Sequence, residues 1–125
     1  MMRILIAEDE EYNQMVVQTM IELLYPEVEV LMVSNGAEAL DKLKTEAFDL
    51  VLSDVDMPLM NGYELVSEVK ALGLNVPMIC VTAFAISGDK EKLLMHGFER
   101  YISKPIDMDD MKLILDPYLL PAGIE

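Results

Sequence analysis

Five short apolar runs, each too brief for a helix, recur along this chain between segments with helical spacing. That alternation limits the possible folds more than any other feature. Arg3 to Ala7 is the first run, Val28 to Val33 the second and Phe48 to Ser53 the third. Pro77 to Val81, ending at Thr82 and Ala83, is the fourth, and Arg100 to Ser103 a brief fifth. The first intervening helix is predicted over about Glu11 to Tyr25, with Tyr12, Met15, Val16, Thr19, Met20 and Leu23 as its packed face. Tyr25-Pro26 stops it. Ser34-Asn35-Gly36 then opens a second helix, carrying Ala37, Leu40 and Leu43 to about Glu46. Asn61 caps a third with Glu64 at the capping-box position. Leu65, Val66, Val69 and Leu72 form its inner face, and Gly73 is its natural stop. Ser87 to His96 reads as a short polar helix closed by Gly97. Asp107 caps the last helix, with Met108, Met111, Ile114 and Leu115 inward. Pro117 is expected to end or kink it, because proline donates no backbone hydrogen bond. The tail from Leu119 to Glu125 is expected to be loosely held.

Apolar strands joined by helical crossovers make a parallel sheet covered on both faces. Right-handed crossovers and five strands predict the flavodoxin-like order 2-1-3-4-5, an α/β doubly wound five-stranded parallel sheet with five helices. A length of 125 residues suits a single domain over 1–125, with its core at about 3–116 and a short C-terminal tail. It is enough chain to build a hydrophobic core without staples.

The net charge of -14 argues against direct contact with nucleic acid, whose phosphates would be repelled. No apolar run approaches a membrane span. The opening MMRILIAEDE reads as a strand running into acids, not a signal peptide, so the cytoplasm is the expected compartment. The single cysteine, Cys80, lies within the apolar run MICV and reads as a small core residue.

The most informative stretch is Leu50 to Gly62, LVLSDVDMPLMNG. Its apolar run ends on Asp54, where a plain turn would favour Gly, Asn or Ser. A helix-capping or turn-forming aspartate is the blander reading of this stretch alone. In the predicted order the first and third strands are neighbours, so Glu8 and Asp9 meet Asp54 at one rim. Three carboxylates in one crevice repel each other unless a cation lies among them, and hard oxygen ligands suit Mg²⁺ or Mn²⁺. The fourth strand brings the hydroxyl of Thr82 to the same rim, and the fifth brings Lys104. A nucleophilic carboxylate, a metal and donors for equatorial oxygens are the parts needed to receive a phosphoryl group. Glu8-Asp9-Glu10-Glu11 would repel a flavin phosphate, and no GxxxxGK[ST] loop is present. His96 is the single histidine, which rules out a multi-histidine metal site; it reads as a helix-end residue.

From Ile4 to about Leu115 the chain resembles the receiver domains of two-component response regulators. ILIAEDE resembles their opening strand and acidic pair, SDVDMPLMNG their phosphoacceptor loop, VTAFA their hydroxyl-bearing strand end, and YISKPI their aromatic and lysine. EDEEYNQ and the stretch from ISGDKEK to SKPID look especially like receiver modules of hybrid histidine kinases. The resemblance implies that Asp54 accepts a phosphoryl group from a histidine kinase or histidine phosphotransfer domain. It implies Mg²⁺ held by Asp9, Asp54 and the backbone carbonyl of Asp56, with Glu8 acting through water. Lys104 and Thr82, followed by Ala83, would bind the phosphoryl oxygens, and Tyr101 would swing inward as the switch. Asp56 and Phe84 would tune the phosphoryl lifetime. The face of the fourth helix, fifth strand and fifth helix would take a downstream protein target or a second copy. A cis Lys104-Pro105 bond is implied too. His96 before the glycine and Pro117 in the last helix depart from the family pattern.

The expected protein is not an enzyme beyond promoting its own phosphorylation and dephosphorylation. One rival is a haloacid-dehalogenase-type phosphohydrolase, because Asp54-Val55-Asp56 is a DxD. Its place after the third strand and the lack of a later acidic pair count against that. The other rival is a degenerate receiver used as a constitutive binding module, against which the complete site set counts. As a whole protein the chain would signal by protein–protein contact, and as a piece of a hybrid kinase it would serve a phosphorelay.

Overall fold

Strand parity sorts the apolar side chains of this chain onto two faces of one sheet. The computed structural model describes residues 2–83 and 89–120. In order these form β1 (Arg3–Ala7), α1 (Glu11–Leu24), β2 (Glu29–Val33), α2 (Gly36–Thr45), β3 (Leu50–Ser53), α3 (Gly62–Ala71), β4 (Met78–Thr82), α4 (Asp89–His96), β5 (Arg100–Ser103) and α5 (Met108–Leu119). The strands are parallel in the order β2-β1-β3-β4-β5, as expected. Ile4, Ile6, Leu50, Leu52, Ile79 and Val81 point to one side and pack against Val17 and Ile21 of α1 and Met111 and Leu115 of α5. Leu5, Ala7, Val51, Met78 and Cys80 point to the other, against residues of α2, α3 and α4. Each fully buried aliphatic side chain contributes about 2 kcal/mol of hydrophobic stabilisation. Cys80 is a buried free thiol, as predicted, and burial pushes its pKa up.

The helix starts follow their caps. The Asn35 side chain accepts from the Glu38 N–H at 2.8 Å, and Asp107 accepts from the Asp109 N–H at 2.8 Å. Asn61 and Glu64 form the predicted capping box, with bonds of 2.8 and 3.0 Å. Gly73, at φ +71, closes the turn after α3. Leu72, predicted to face inward, is 49% exposed because it already lies beyond the last helical residue.

Two further expectations are corrected. The predicted packed face of α1 is largely its solvent face: Tyr12, Met15 and Leu23 are 64%, 59% and 69% exposed. The buried face is Val17 and Ile21, and the same i, i+4 line continues to Tyr25. Tyr25 sets the rotation of the helix, since its ring is buried and its hydroxyl donates to Asp116 of α5 at 2.6 Å. Pro117 does not end α5, which runs on to Leu119. Leu119 is buried in the core, Tyr118 donates to Glu99 at 2.9 Å, and the Leu120 N–H bonds to Asp116 at 3.0 Å. These contacts outweigh the one backbone bond that proline removes, so the loosely held tail does not begin at Leu119. The predicted start of the fourth helix at Ser87 lies outside the described residues.

At the foot of the sheet Arg3 joins four segments. Its guanidinium reaches Glu29 at 2.7 Å, Glu46 at 2.8 Å and the Ala47 carbonyl at 3.0 Å, and it lies 4.5 Å from the Phe48 ring centroid. Its backbone N–H donates to the Asp49 carboxylate at 2.8 Å. At the opposite rim, α2 and α3 begin pressed against the loop that leaves β3. The Gly36 N–H donates to the Met60 carbonyl, and the Gly62 N–H to the Val55 carbonyl, both at 2.9 Å. A Cβ at Gly62 would lie 2.2 Å from the Asp54 carbonyl oxygen, so no other residue fits without a backbone shift.

Candidate functional site

The carboxyl ends of β1 and β3 lie side by side because Ala7 pairs with Ser53. The next residues, Glu8 and Asp54, therefore reach the same rim, and β4 and β5 deliver Thr82 and Lys104 beside them. The Lys104 ammonium donates to Glu8 Oε1 and to Asp54 Oδ2, each at 2.7 Å. Both carboxylates are largely shut from solvent, at 3% exposure for Glu8 and 8% for Asp54. The second Glu8 oxygen accepts from the Glu10 N–H at 3.0 Å. Asp54 Oδ1 accepts from the Val55 N–H at 2.7 Å and lies 3.4 Å from the Asp56 N–H. Asp9, by contrast, is exposed.

Glu8, Asp9 and Asp54 each bring a ligand oxygen within 4.8 Å of the others. Three hard anionic oxygens at that spacing, one of them open to water, match the donor set of Mg²⁺ or Mn²⁺. Burial raises the Glu8 pKa, and the Lys104 hydrogen bond opposes this only in part. Burial works against the Lys104 charge, but its bonds to Asp54 and Glu8 outweigh that and raise its pKa. Against the one ammonium of Lys104 the rim gathers three carboxyl groups, those of Glu8, Asp9 and Asp54.

The structure brings Glu8, Asp9, Asp54 and Lys104 together as predicted. Thr82 is fully buried at the end of β4, and its carbonyl accepts from the Lys104 N–H at 2.9 Å. Ala83 is exposed in the turn that follows, and Asp56 is exposed beside Asp54. Tyr101 is half-buried against the core on the α2–α4 side. Phe84 lies outside the described residues. The Lys104-Pro105 peptide is cis. His96 ends α4, as read; its ring stands 4.3 Å from that of Tyr63, and its Nδ1 donates to the Lys92 carbonyl at 2.8 Å.

Two residues of the site lie within the quoted motifs but take no role from the sequence. Gln14, one turn into α1, donates from Nε2 to the Glu8 carbonyl at 2.6 Å and holds the end of β1. Ser53, inside the apolar run, donates to the Asp54 carbonyl at 2.8 Å. Neither contact follows from a spacing rule, since each depends on how the chain turns at the rim.

A family model for the response regulator receiver domain matches residues 4–116. The chain is 36% identical over 118 residues to the polar-differentiation response regulator DivK of Brucella anthropi, covering 93% of this chain and 94% of that one. It is 35% identical over 117 residues to the sensor histidine kinase RcsC of Salmonella typhi. That match covers 94% of this chain but 12% of the kinase. Among solved structures, it is similar to the receiver domain of the sensor histidine kinase PA1611 from Pseudomonas aeruginosa, with a TM-score of 0.84 and 32% identity. The likeness covers 94% of this chain and 97% of that domain, which holds a magnesium ion in its active-site cleft.

Proposed function

The chain belongs to the response regulator receiver domain family, and from that premise we propose that Asp54 is its phosphoacceptor. The observation that carries this is the Lys104 ammonium, 2.7 Å from both Glu8 and Asp54, beside an exposed Asp9. A histidine kinase or histidine phosphotransfer domain supplies the phosphoryl group. Asp9, Asp54 and the Asp56 carbonyl would hold Mg²⁺ or Mn²⁺, with Glu8 acting through water. Bound there, the ion neutralises charge on the carboxylates and the phosphoryl oxygens. The Asp54 carboxylate attacks phosphorus, and the donor's imidazole leaves with the electron pair of the broken P–N bond. Lys104, already on Asp54, takes one phosphoryl oxygen, and the hydroxyl of Thr82, next to Ala83, takes another. Tyr101 then turns inward behind Thr82. Asp56, exposed beside Asp54, sets together with Phe84 how fast water removes the group.

The new charge at this rim biases the face built from α4, β5 and α5. A groove of about 460 Å³ lies there, lined in part by Leu94, Tyr101, Leu113 and Ile114. Leu94 is 48% exposed and Leu113 71%. This face receives a downstream protein target or a second copy of the chain. The whole chain acts as one receiver unit and catalyses nothing beyond its own phosphorylation and dephosphorylation. No helix among the described residues is long and apolar enough to cross a membrane, and we place the protein in the cytoplasm.

The test is intact-mass measurement after incubation with acetyl phosphate and Mg²⁺, with Asp54→Asn alongside. One phosphoryl group is expected on the parent, lost without Mg²⁺ and in the variant. Multiple-turnover hydrolysis of a phosphomonoester would instead establish the phosphohydrolase reading.

A further inference from the structure

Ser53 is 1% exposed, and its hydroxyl spends its proton on the carbonyl of the residue after it, at 2.8 Å. That carbonyl is one end of the Asp54–Val55 peptide group. The other end, the Val55 N–H, donates to Asp54 Oδ1 at 2.7 Å. A peptide group is planar, so fixing its carbonyl fixes where its N–H points. Gly62 packs against the same carbonyl, since a Cβ there would lie 2.2 Å from the oxygen. Lys104 holds the remaining carboxylate oxygen, Oδ2, at 2.7 Å.

We infer that Ser53 is a positioning residue for Asp54: its hydroxyl orients the Asp54–Val55 peptide, whose N–H in turn aims the carboxylate. The inference rests on Asp54 as the phosphoacceptor and extends that reading to a residue that never touches the phosphoryl group. In transfer from acetyl phosphate, a carboxylate oxygen forms the new bond to phosphorus. The bond from phosphorus to the acetate oxygen breaks, and acetate leaves with its electron pair. An aspartate carboxyl turns readily about its last torsion. Without the Val55 N–H it spends less time aligned for attack, and small misplacements of reacting groups are costly.

The test follows the rate of phosphoryl uptake from acetyl phosphate with Mg²⁺, by intact mass against time. It compares the parent with Ser53→Ala, Ser53→Thr and Ser53→Val. Threonine keeps the hydroxyl, and valine has the same shape without it, so their ratio is free of packing effects. A loss of about tenfold is expected for alanine, and for valine relative to threonine. A second readout is amide hydrogen exchange. In Ser53→Ala, exchange should quicken at Val55 while Val51 and Leu52 keep the parent rate, whereas general loosening of β3 would quicken all three. Equal uptake rates in parent and alanine variant, or exchange rising evenly along the strand, would overturn the inference. A parent that takes up no phosphoryl group overturns the phosphoacceptor reading, and the inference falls with it.

Discussion

Glu8 and Lys104 stand 96 residues apart in the chain and form an ion pair of 2.7 Å at the sheet rim. The carboxylate is almost sealed from water, and the ammonium is shared with Asp54. The lysine therefore occupies the middle of the negative charge that a divalent ion would otherwise neutralise.

Replacing it tests this competition. Lys104→Met leaves Glu8 and Asp54 facing each other without a cation. We expect a stability loss of about 3 kcal/mol in metal-free buffer, the scale of breaking one partner from a buried pair. Added Mg²⁺ should then stabilise the variant more than the parent and bind it more tightly, because no ammonium beside the carboxylates repels the ion. Urea denaturation with and without Mg²⁺ reads both effects.

A backbone prediction concerns the close approach of α2 to the β3–α3 loop. A Cβ at Gly36 would lie 2.4 Å from the Met60 carbonyl oxygen. Alanine is the better helix former, yet Gly36→Ala should lower stability by about 2 kcal/mol, because the crowding is against main chain that cannot swing aside. A denaturation midpoint at or above the parent's would contradict the packing described for this junction.

The link between α1 and α5 gives a pH signature. Asp116 is held below its ordinary value of 3.8, first by the Lys112 hydrogen bond and then by that of Tyr25. A depressed carboxylate stabilises above its unfolded value, and the contribution fades as pH falls through the folded one. Tyr25 is raised above 10.0, by burial first and the Asp116 bond second. A raised phenol stabilises below its unfolded value, and the contribution is lost as pH climbs past it. Asp116→Asn should flatten the stability curve below about pH 4, and Tyr25→Phe should flatten it above about pH 10. Denaturation across both limbs measures this.

The last turn of α5 supplies a fourth expectation. Pro117→Ala restores an N–H that can bond within the helix, so the variant should gain about 1 kcal/mol. Tyr118→Phe should lose about 1 kcal/mol with its bond to Glu99. Thermal unfolding of the two single variants separates the proline's cost from the anchor that offsets it.

The elements of this fold were readable because each rests on local chemistry. The apolar runs, the Asn61–Glu64 box and Asn35 act within a few residues. The strand order followed from crossover rules, and it placed Glu8, Asp9, Asp54 and Lys104 at one rim before any distance was known. The face of α1 was not readable. Tyr12, Met15 and Leu23 compete with Val17 and Ile21 for the same periodicity, and the choice is made by Tyr25 on Asp116, 91 residues away. Pro117 misleads for a related reason: the rule against proline in helices is local, while Leu119 and Tyr118 are held by distant partners. Ser53 and Gln14 lie in recognisable motifs, yet their roles escape pattern reading because their shortest contacts are to backbone carbonyls, which every residue possesses.

The Arg3 cluster has a consequence for how such a domain diversifies. It fastens the beginnings of β1 and β2, the end of α2 and the approach to β3 at the foot of the sheet. The acids and the lysine all stand at the other end of the strands. Changes that alter recognition or timing at the upper end therefore leave the anchorage of the strands untouched. The domain is built as a fixed stem carrying a separate crown, so that the side chains of the rim can be exchanged without the fold being solved again.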